Sequence, residues 1–251
     1  MAPTYALVRL DSTPSTQDEA SARFSGRPVL AVAAAQTRGR GRGGRDWQTA
    51  PRALAASLAL APRWPAETWP RLSLVAALAA RAVLEGGVDL KWPNDLLIKG
   101  KKVGGVLVEA REGTAVVGLG VNLWWPSAPA GVAGLLSQDP GPARSLEVAE
   151  AWGSELLRRV DGGPDAWGHD EYREACVTLG SSVRWEPGGT GTAEDVDTSG
   201  ALVVRTRQGK ELLRSGEVWE VRPITLPSTP TLPHERGREK MRKSRGEHPA
   251  R

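Results

Sequence analysis

The feature that most restricts how this chain can fold is a loop of alternating arginine and glycine residues between two strand-like runs. The loop, residues 36–47, reads QTRGRGRGGRDW, follows an apolar run at 29–35 and precedes another at 53–61. Its glycines formally match the Gly-x-Gly-x-x-Gly dinucleotide fingerprint, but that fingerprint must open a helix whose N-terminus holds the pyrophosphate. Because a strand follows instead, the pattern argues against a Rossmann fold and predicts a cationic loop at the edge of a sheet.

The composition of this Arg/Gly loop suits an anionic ligand. Glycine lets the backbone approach a ligand closely, and arginine offers a permanently charged, planar fork that matches phosphate or carboxylate oxygens. These residues alone leave three interpretations open: a nucleotide-phosphate loop inside an enzyme, an RGG-type nucleic-acid segment, and a solvated basic loop.

The distribution of charge argues against a broad nucleic-acid interface. The net charge of the 251 residues is +4, and residues 226–251, with seven Lys/Arg and three Glu, account for all of it. The body of the chain is therefore neutral, whereas a nucleic-acid-binding surface is expected to be basic.

The cysteine and histidine content and the absence of targeting signals indicate the cellular compartment in which the protein works. One cysteine and three scattered histidines exclude an intramolecular disulfide and leave no zinc-type spacing. No signal-peptide pattern is present, and no apolar run approaches the roughly 18 residues that span a bilayer. We therefore expect a soluble, cytoplasmic protein without membrane association.

Hydrophobic periodicity predicts an α/β domain followed by a small β domain. One helix is predicted to start at a cap formed by Ser15 or Thr16, whose hydroxyls could alternatively bind a polar ligand, and further helices are predicted at 72–83, 145–160 and 164–179. Strands are predicted at 5–10, 29–35, 53–61, 88–92, 96–98, 102–110 and 115–122. Five further short strands, typical of a small barrel, are predicted at 183–186, 191–197, 201–205, 210–215 and 217–222. Residues after 223 carry four prolines and many like charges and are predicted to be disordered.

Five motifs occur together between residues 5 and 125. They are Ser15-Thr16-Gln17, Gln36 with the Arg/Gly loop, Lys91-Trp92-Pro93-Asn94-Asp95, the segment KVGGVLVE at 102–109 and the segment GLGVN at 118–122. In this combination and order the sequence resembles the biotin protein ligases. Ser12-Thr13 offers an alternative register for the first motif, but the spacing from Thr16 to Gln36 fits the family better.

The resemblance implies a fold and a set of domains. A mixed sheet flanked by helices, similar to that of class II aminoacyl-tRNA synthetases, would occupy residues 1–178. An SH3-like barrel would follow at 179–225 and a basic tail at 226–251.

The resemblance also implies a reaction and its partners. The family joins biotin to ATP, with Mg²⁺, and releases pyrophosphate to give biotinyl-5′-adenylate. It then transfers the biotinyl group to one lysine of a biotin carboxyl carrier protein. A homodimer is possible. The chain starts about a dozen residues before its first ligand motif, so we expect a monofunctional ligase without the DNA-binding domain of some relatives.

The family's functional residues map onto matching positions of this chain. Gln17 stands where the family usually has Asn, and we expect an altered reach rather than lost binding. Asp95 is a possible Mg²⁺ ligand. Catalytic roles are implied for Lys102, Arg40 and Arg42. Biotin contacts are implied for Ser15, Thr16, Gln17, Gln36, Arg40, Gly41, Arg42 and Lys102, and ATP or adenylate contacts for Gly39, Arg42, Arg45, Trp47, Asn94, Asp95, Gly118, Gly120 and Asn122.

Structural alternatives remain for several of these residues. Lys102 could be an ordinary strand lysine, Trp47 a core residue and Asp95 a turn residue, while Gly118 and Gly120 could serve packing. Two rival functions also remain: a lipoate-protein ligase, which shares the fold and the acyl-adenylate chemistry, and an RNA-binding module that uses the Arg/Gly loop and the basic tail. The scarcity of aromatic residues beside the loop argues against base stacking.

Overall fold

The computed structural model describes residues 5–214 and the backbone of 218–220, and its centre is a mixed seven-stranded sheet. The strand order is β1-β2-β3-β7-β6-β5-β4, with β1 and β2 parallel and every other neighbouring pair antiparallel. The predicted mixed sheet is thereby confirmed. Its strands are β1 (Ala6–Thr13), β2 (Val29–Gln36), β3 (Arg52–Leu60), β4 (Asp89–Lys91), β5 (Asp95–Ile98), β6 (Lys101–Arg111) and β7 (Thr114–Trp124).

Helices cover both faces of this sheet. Alternate residues of β2 point to opposite faces: Leu30 lies in the main core, whereas Ala31 packs in a smaller cluster with Ala20 of the first helix. On the main-core face, Trp152 is fully buried and donates its indole N–H to the carbonyl oxygen of Ala76 at 3.2 Å. The helices are α1 (Thr16–Arg23), α2 (Leu72–Val83), α3 (Ala143–Asp161) and α4 (His169–Ala175).

The single helix predicted at 164–179 is wrong. A short 3₁₀ helix (Pro164–Ala166) is separated from α4 by Gly168, which adopts a left-handed conformation with φ of 91°. A side chain there would be strained, and a Cβ would lie 2.8 Å from Leu78 Cδ1. After α4, Cys176 forms a parallel bridge with Leu90 of β4, so tertiary pairing ends the helix.

The C-terminal part of the described chain forms a separate antiparallel sheet of five strands in the order β11-β10-β9-β8-β12. Two segments beside this sheet contact Trp92, in the turn between β4 and β5: the Trp92 indole N–H donates to Gly200 O at 3.1 Å, and Thr178 Oγ1, in the connection from α4, accepts from the Trp92 amide at 3.0 Å. The predicted disordered tail lies outside the described residues. The strands are β8 (Ser182–Trp185), β9 (Gly189–Val196), β10 (Leu202–Thr206), β11 (Gly209–Leu213) and β12 (Val218–Glu220).

Within the described residues, the helices are all too short or too polar to cross a membrane.

Candidate active site

The first motif meets Gln36 because β1 and β2 run in parallel. Their register places Thr13 beside Gln36, so the start of α1 lies next to the end of β2. Gln36 Oε1 accepts hydrogen bonds from the Thr16 amide at 2.7 Å and from Thr16 Oγ1 at 3.0 Å. Ser15 occupies the N-cap position and is buried, but its side chain makes no capping hydrogen bond. Of the two hydroxyls predicted to cap α1, that of Ser15 is therefore not used as a cap, and that of Thr16 bonds to Gln36 instead.

Ser57 is a buried site residue that the sequence reasoning missed. Its Oγ lies 2.8 Å from Thr16 Oγ1, and the residue is 1% exposed on β3. Ser57 is the one polar residue in the run ALAASLALA at 53–61. An isolated hydroxyl in a buried strand needs a hydrogen-bond partner, and that signal could have identified it.

Gln17 fills the space that Gly118 leaves on β7. Gln17 is buried, and its Nε2 donates to the carbonyl oxygens of Leu107 at 3.3 Å and Val116 at 3.5 Å. A Cβ at position 118 would lie 3.2 Å from Gln17 Cδ and 3.3 Å from Ser57 Oγ. Gly118 therefore has a packing role, because a larger residue at this position would press against Gln17 and Ser57.

The Arg/Gly loop folds back on itself as a hairpin. The Gly41 amide donates to Arg45 O at 2.7 Å and the Trp47 amide to Gly39 O at 3.0 Å. One turn of 3₁₀ helix (Arg42–Gly44) forms the tip, where Gly43 and Gly44 have φ values of 66° and 75°. Glycine is favoured at both positions because these left-handed conformations strain other residues.

The hairpin tip reaches the bend between β4 and β5. Arg42 Nη1 donates to Asn94 Oδ1 at 3.4 Å, and Asn94 Nδ2 donates to Val106 O at 2.7 Å. Next to this contact, Lys102 Nζ forms an ion pair with Asp95. A Cβ at Gly105, a residue of the fourth motif to which the sequence assigned no role of its own, would lie 3.3 Å from Asn94 O. The third and fourth motifs therefore form one wall.

Trp47 is half-buried and packs against Gly120 of β7 rather than in the core. A Cβ at Gly120 would lie 3.0 Å from two indole carbons of Trp47, and Lys102 Nζ is 5.9 Å from the centroid of the Trp47 ring. Asn122 is two residues beyond Gly120 and so shares its face of the strand. It is 2% exposed, and its Oδ1 finds no hydrogen-bond partner among the described residues.

Arg40 makes a two-carboxylate contact that the sequence reasoning did not foresee. Its Nη1 and Nη2 donate to the two carboxylate oxygens of Asp18 at 2.9 and 2.8 Å, and Nη2 also donates to Glu109 Oε2 at 3.3 Å. The hydrogen bonds from Arg40 lower the pKa of Asp18, and the contact with Asp18 raises the pKa of Arg40.

These elements enclose a cavity of about 230 Å³. All predicted site residues line it except Gly39, which is buried between Gln36 and Trp47, and Asn122. Five cationic and two anionic side chains line the cavity, an excess of three positive charges in a neutral body. Uncharged polar residues, glycines and apolar side chains form the rest of the wall. The charged lining residues are Arg40, Arg42, Arg45, Lys91, Lys102, Asp46 and Asp95, and the apolar ones include Ala56, Val106, Leu107 and Leu119.

The fold and the cavity define a class of protein: an α/β domain that binds a ligand with an apolar body and anionic groups. Comparison with known families agrees, since the Biotin/lipoate A/B protein ligase family matches residues 8–123. The chain belongs to this family, and the resemblance predicted from the five motifs is confirmed.

Curated relatives and a solved structure support this assignment. The biotin-[acetyl-CoA-carboxylase] ligase of Mycobacterium tuberculosis is 33% identical over 220 residues, which cover 77% of this chain and 79% of the relative. The ligase of the same name from Paracoccus denitrificans is 31% identical over 85% of this chain and 98% of its own. The biotin protein ligase of Aquifex aeolicus in complex with biotin and ATP superposes with a TM-score of 0.70 at 26% identity, covering 86% of this chain and 99% of that chain.

Proposed function

We propose that this chain is an ATP-dependent biotin-[acetyl-CoA-carboxylase] ligase that forms biotinyl-5′-adenylate and transfers biotin to a lysine of a biotin carboxyl carrier protein. The observation that carries this proposal is the cavity itself. It joins an uncapped helix start and an apolar wall to an excess of three positive charges, although the body of the chain is neutral. Its cations line a cavity together with apolar side chains, which favours a small anionic ligand over an RNA surface.

The first step needs fixed positive charge. An oxygen of the biotin carboxylate attacks the α-phosphorus of ATP, a C–O–P linkage forms, and the bond to the β-phosphate breaks as pyrophosphate leaves. Negative charge grows on the phosphoryl oxygens and on the leaving group, so preorganised cations lower the barrier. Arg42, Arg45 and Lys102 line the cavity and are suited to this role. The ion pair with Asp95 restrains Lys102, and in the proposed complex its ammonium group would face the carboxylate and the acyl-phosphate oxygens.

The two ends of the cavity suit the two ligands. The start of α1, with Ser15, Thr16 and Gln17, presents hydroxyl and amide groups to the polar end of biotin, and Gln36 fixes Thr16. Trp47, which packs against Gly120 two residues before Asn122, would offer an aromatic face to adenine, and Asn94 and Asp95 would lie next to the phosphates. Gly41 and Gly39 belong to the hairpin that covers these groups.

The residues fit a Mg²⁺ ion that is carried mainly by the phosphates. Mg²⁺ keeps several waters and uses one or two carboxylates plus substrate phosphates. Within the described chain no group of three His, Cys, Asp or Glu could hold a metal by itself, and Asp95 is the carboxylate that lies in the wall beside Lys102. When bound, the ion would neutralise charge on the phosphates, and Asp95 would be its protein ligand.

In the second step, the amine of the carrier lysine attacks the acyl carbon, an amide forms, and AMP leaves with the electron pair of the broken C–O bond. The mixed anhydride is activated, so holding the amine in line with the acyl carbon supplies most of the catalysis.

Several broader features belong to the same proposal. The five C-terminal strands would form an SH3-like barrel, with domain limits at 1–178, 179–225 and 226–251. We place the enzyme in the cytoplasm, with a possible homodimer, and expect no repressor activity. Sequence-specific retardation of an operator fragment in a gel-shift experiment would contradict that last expectation.

The proposed function is tested by labelling a purified carrier domain. Transfer is expected to require both ATP and biotin and to stop when the target lysine of the carrier is replaced by arginine. Lipoate, offered with a lipoyl carrier domain, is the competing substrate. Absence of biotin transfer, or faster transfer of lipoate than of biotin, would overturn the proposal.

Gly118→Ala is expected to weaken biotin binding about tenfold, because the added Cβ displaces Gln17 and Ser57 and overpacking costs roughly 1–3 kcal/mol. Separate KM measurements check this: KM for biotin should rise while KM for ATP stays within about twofold. A rise confined to the KM for ATP would instead identify Gly118 as a nucleotide contact.

The Arg/Gly loop is expected to become protected when the adenylate forms, because the ligand anion would bind its cations. Trypsin cleavage between Arg38 and Arg45 should slow at least about tenfold with biotin and ATP. Arg111, exposed beside the turn between β6 and β7, is the control site and should be cut equally with and without ligands. Equal cleavage of the loop in both states would contradict the prediction.

A further inference from the structure

We infer that Asp18 and Glu109 are positioning residues: they hold Arg40, and through it the Arg/Gly loop, closed over the cavity, and so set how long the acyl-adenylate is retained. We call Arg40, Asp18 and Glu109 the Arg40 latch. Neither carboxylate lines the main cavity, and the inference rests on the proposed function for the identity of the retained ligand.

The latch joins three elements that are far apart in sequence. Asp18 lies in the first turn of α1, 22 residues before Arg40 in the chain. Glu109 lies on β6, 69 residues after Arg40. The pair with Asp18 is bidentate, with both distances below 3 Å, and such pairs fix geometry as well as charge. Of the loop's side-chain contacts given above, the bond from Arg42 to Asn94 is longer, at 3.4 Å.

Arg40 is part of the hairpin backbone, so its contacts with Asp18 and Glu109 restrain the whole loop. Arg40 forms a backbone bridge with Asp46, and the adjacent bond from the Gly41 amide to Arg45 O closes the same hairpin. Anchoring Arg40 therefore anchors the base of the tip that carries Arg42 and Arg45 into the cavity. The loop has no large apolar side chain between Gln36 and Trp47, so its side chains anchor it through polar contacts such as those of Arg40.

The Arg40 latch also lies between two cavities. Arg40 and Gln17 line both the main cavity and a second cavity, to which Asp18 and Glu109 contribute. An opening at this boundary would connect the adenylate site with the outside. Both terminal nitrogens of Arg40 donate to carboxylates, so its guanidinium group is held in place and is suited to fastening the loop.

The test measures release of preformed adenylate. Each variant is loaded with radiolabelled biotin and ATP, freed of excess ligand, and chased with unlabelled biotin. Asp18→Asn and Glu109→Gln are each expected to release adenylate about threefold faster, and the double variant about tenfold faster, the range for partly exposed but bidentate pairs. Adenylate formation at saturating substrates should change by less than about twofold, because the anion-binding cations are retained.

Matched variants separate charge from general disruption. Asp18→Glu restores the carboxylate and should release adenylate more slowly than Asp18→Asn. Glu112→Gln removes a carboxylate that lines the same second cavity without a hydrogen bond to Arg40 in the described chain, and should behave as wild type. High salt should accelerate release from wild type more than from the double variant, since exposed pairs are screened.

Two outcomes would overturn the latch: wild-type release rates in the double variant, or equal release from Asp18→Glu and Asp18→Asn. If Asp18→Asn fails to fold, as judged by thermal unfolding, Glu109→Gln and the salt dependence of wild type decide. A wild-type protein that forms no adenylate would refute the proposed function, whereas adenylate that forms and is retained equally by every variant refutes the latch alone.

Discussion

Replacing Lys102 by alanine is expected to reduce the rate of adenylate formation by about 10²- to 10³-fold, the typical loss when one preorganised charge-stabilising donor is removed. Lys102 is held by Asp95 and lies over the Trp47 ring, so its ammonium group is fixed before the substrates bind. Because the charge that it stabilises develops during the reaction, kcat should fall more than KM for biotin rises. Pyrophosphate release under single-turnover conditions measures this step directly.

Lys101→Ala is the matched control for this result. Lys101 is the neighbouring residue on β6, but it is exposed and does not line the cavity. Its replacement should leave adenylate formation within about twofold of wild type, as for an ordinary surface substitution. Equal rates for the Lys102 and Lys101 variants would show that Lys102 is an ordinary strand lysine.

Arg42→Ala is expected to slow adenylate formation by about 10²-fold and to shorten the retention of the product. Arg42 lies at the hairpin tip, lines the cavity and donates to Asn94, so its loss removes a cation from the phosphate site and a contact that closes the loop. Adenylate formation and retention are measured separately, by pyrophosphate release and by chase with unlabelled biotin. Normal values of both would refute the phosphate role.

Arg38→Ala provides the comparison within the same loop. Arg38 is exposed and does not line the cavity, and its contact with Pro14 uses only the backbone amide. Its replacement should change neither formation nor retention by more than about twofold. If the Arg38 and Arg42 variants were equally impaired, the general positive charge of the loop, rather than the position of Arg42, would explain the loss.

Local sequence patterns predicted much of the fold because they report local chemistry. The apolar run before the Arg/Gly loop became β2, and the helical spacing at 72–83 became α2 with the same limits. The helix predicted at 164–179 failed because a left-handed Gly168 divides it and because Cys176 pairs with β4. Propensity cannot reveal such pairing, since the partner lies more than 80 residues away.

In the candidate site, too, the sequence predicted some features and the tertiary structure decided others. The five motifs identified nearly every residue that lines the cavity, because each ligand group demands a particular residue type. Ser57 belongs to no motif, and its importance comes from its contact with Thr16, whereas Gly105 lies within the fourth motif but gains its role from the close approach of Asn94. Gly118 was ambiguous in the sequence, and its position against Gln17 supplied the packing explanation.

By itself, the sequence determined the kind of chemistry: a neutral body, a cationic glycine-rich loop after a strand, and hydroxyl and amide groups at a helix start. Only the tertiary structure decided which groups meet. The parallel register of β1 and β2 places Gln36 on Thr16, and the fold brings Asp18 and Glu109 to Arg40 from separate elements. The physical reason is that charge and hydrogen-bonding capacity belong to a residue, whereas the partner that uses them is set by long-range strand pairing and packing.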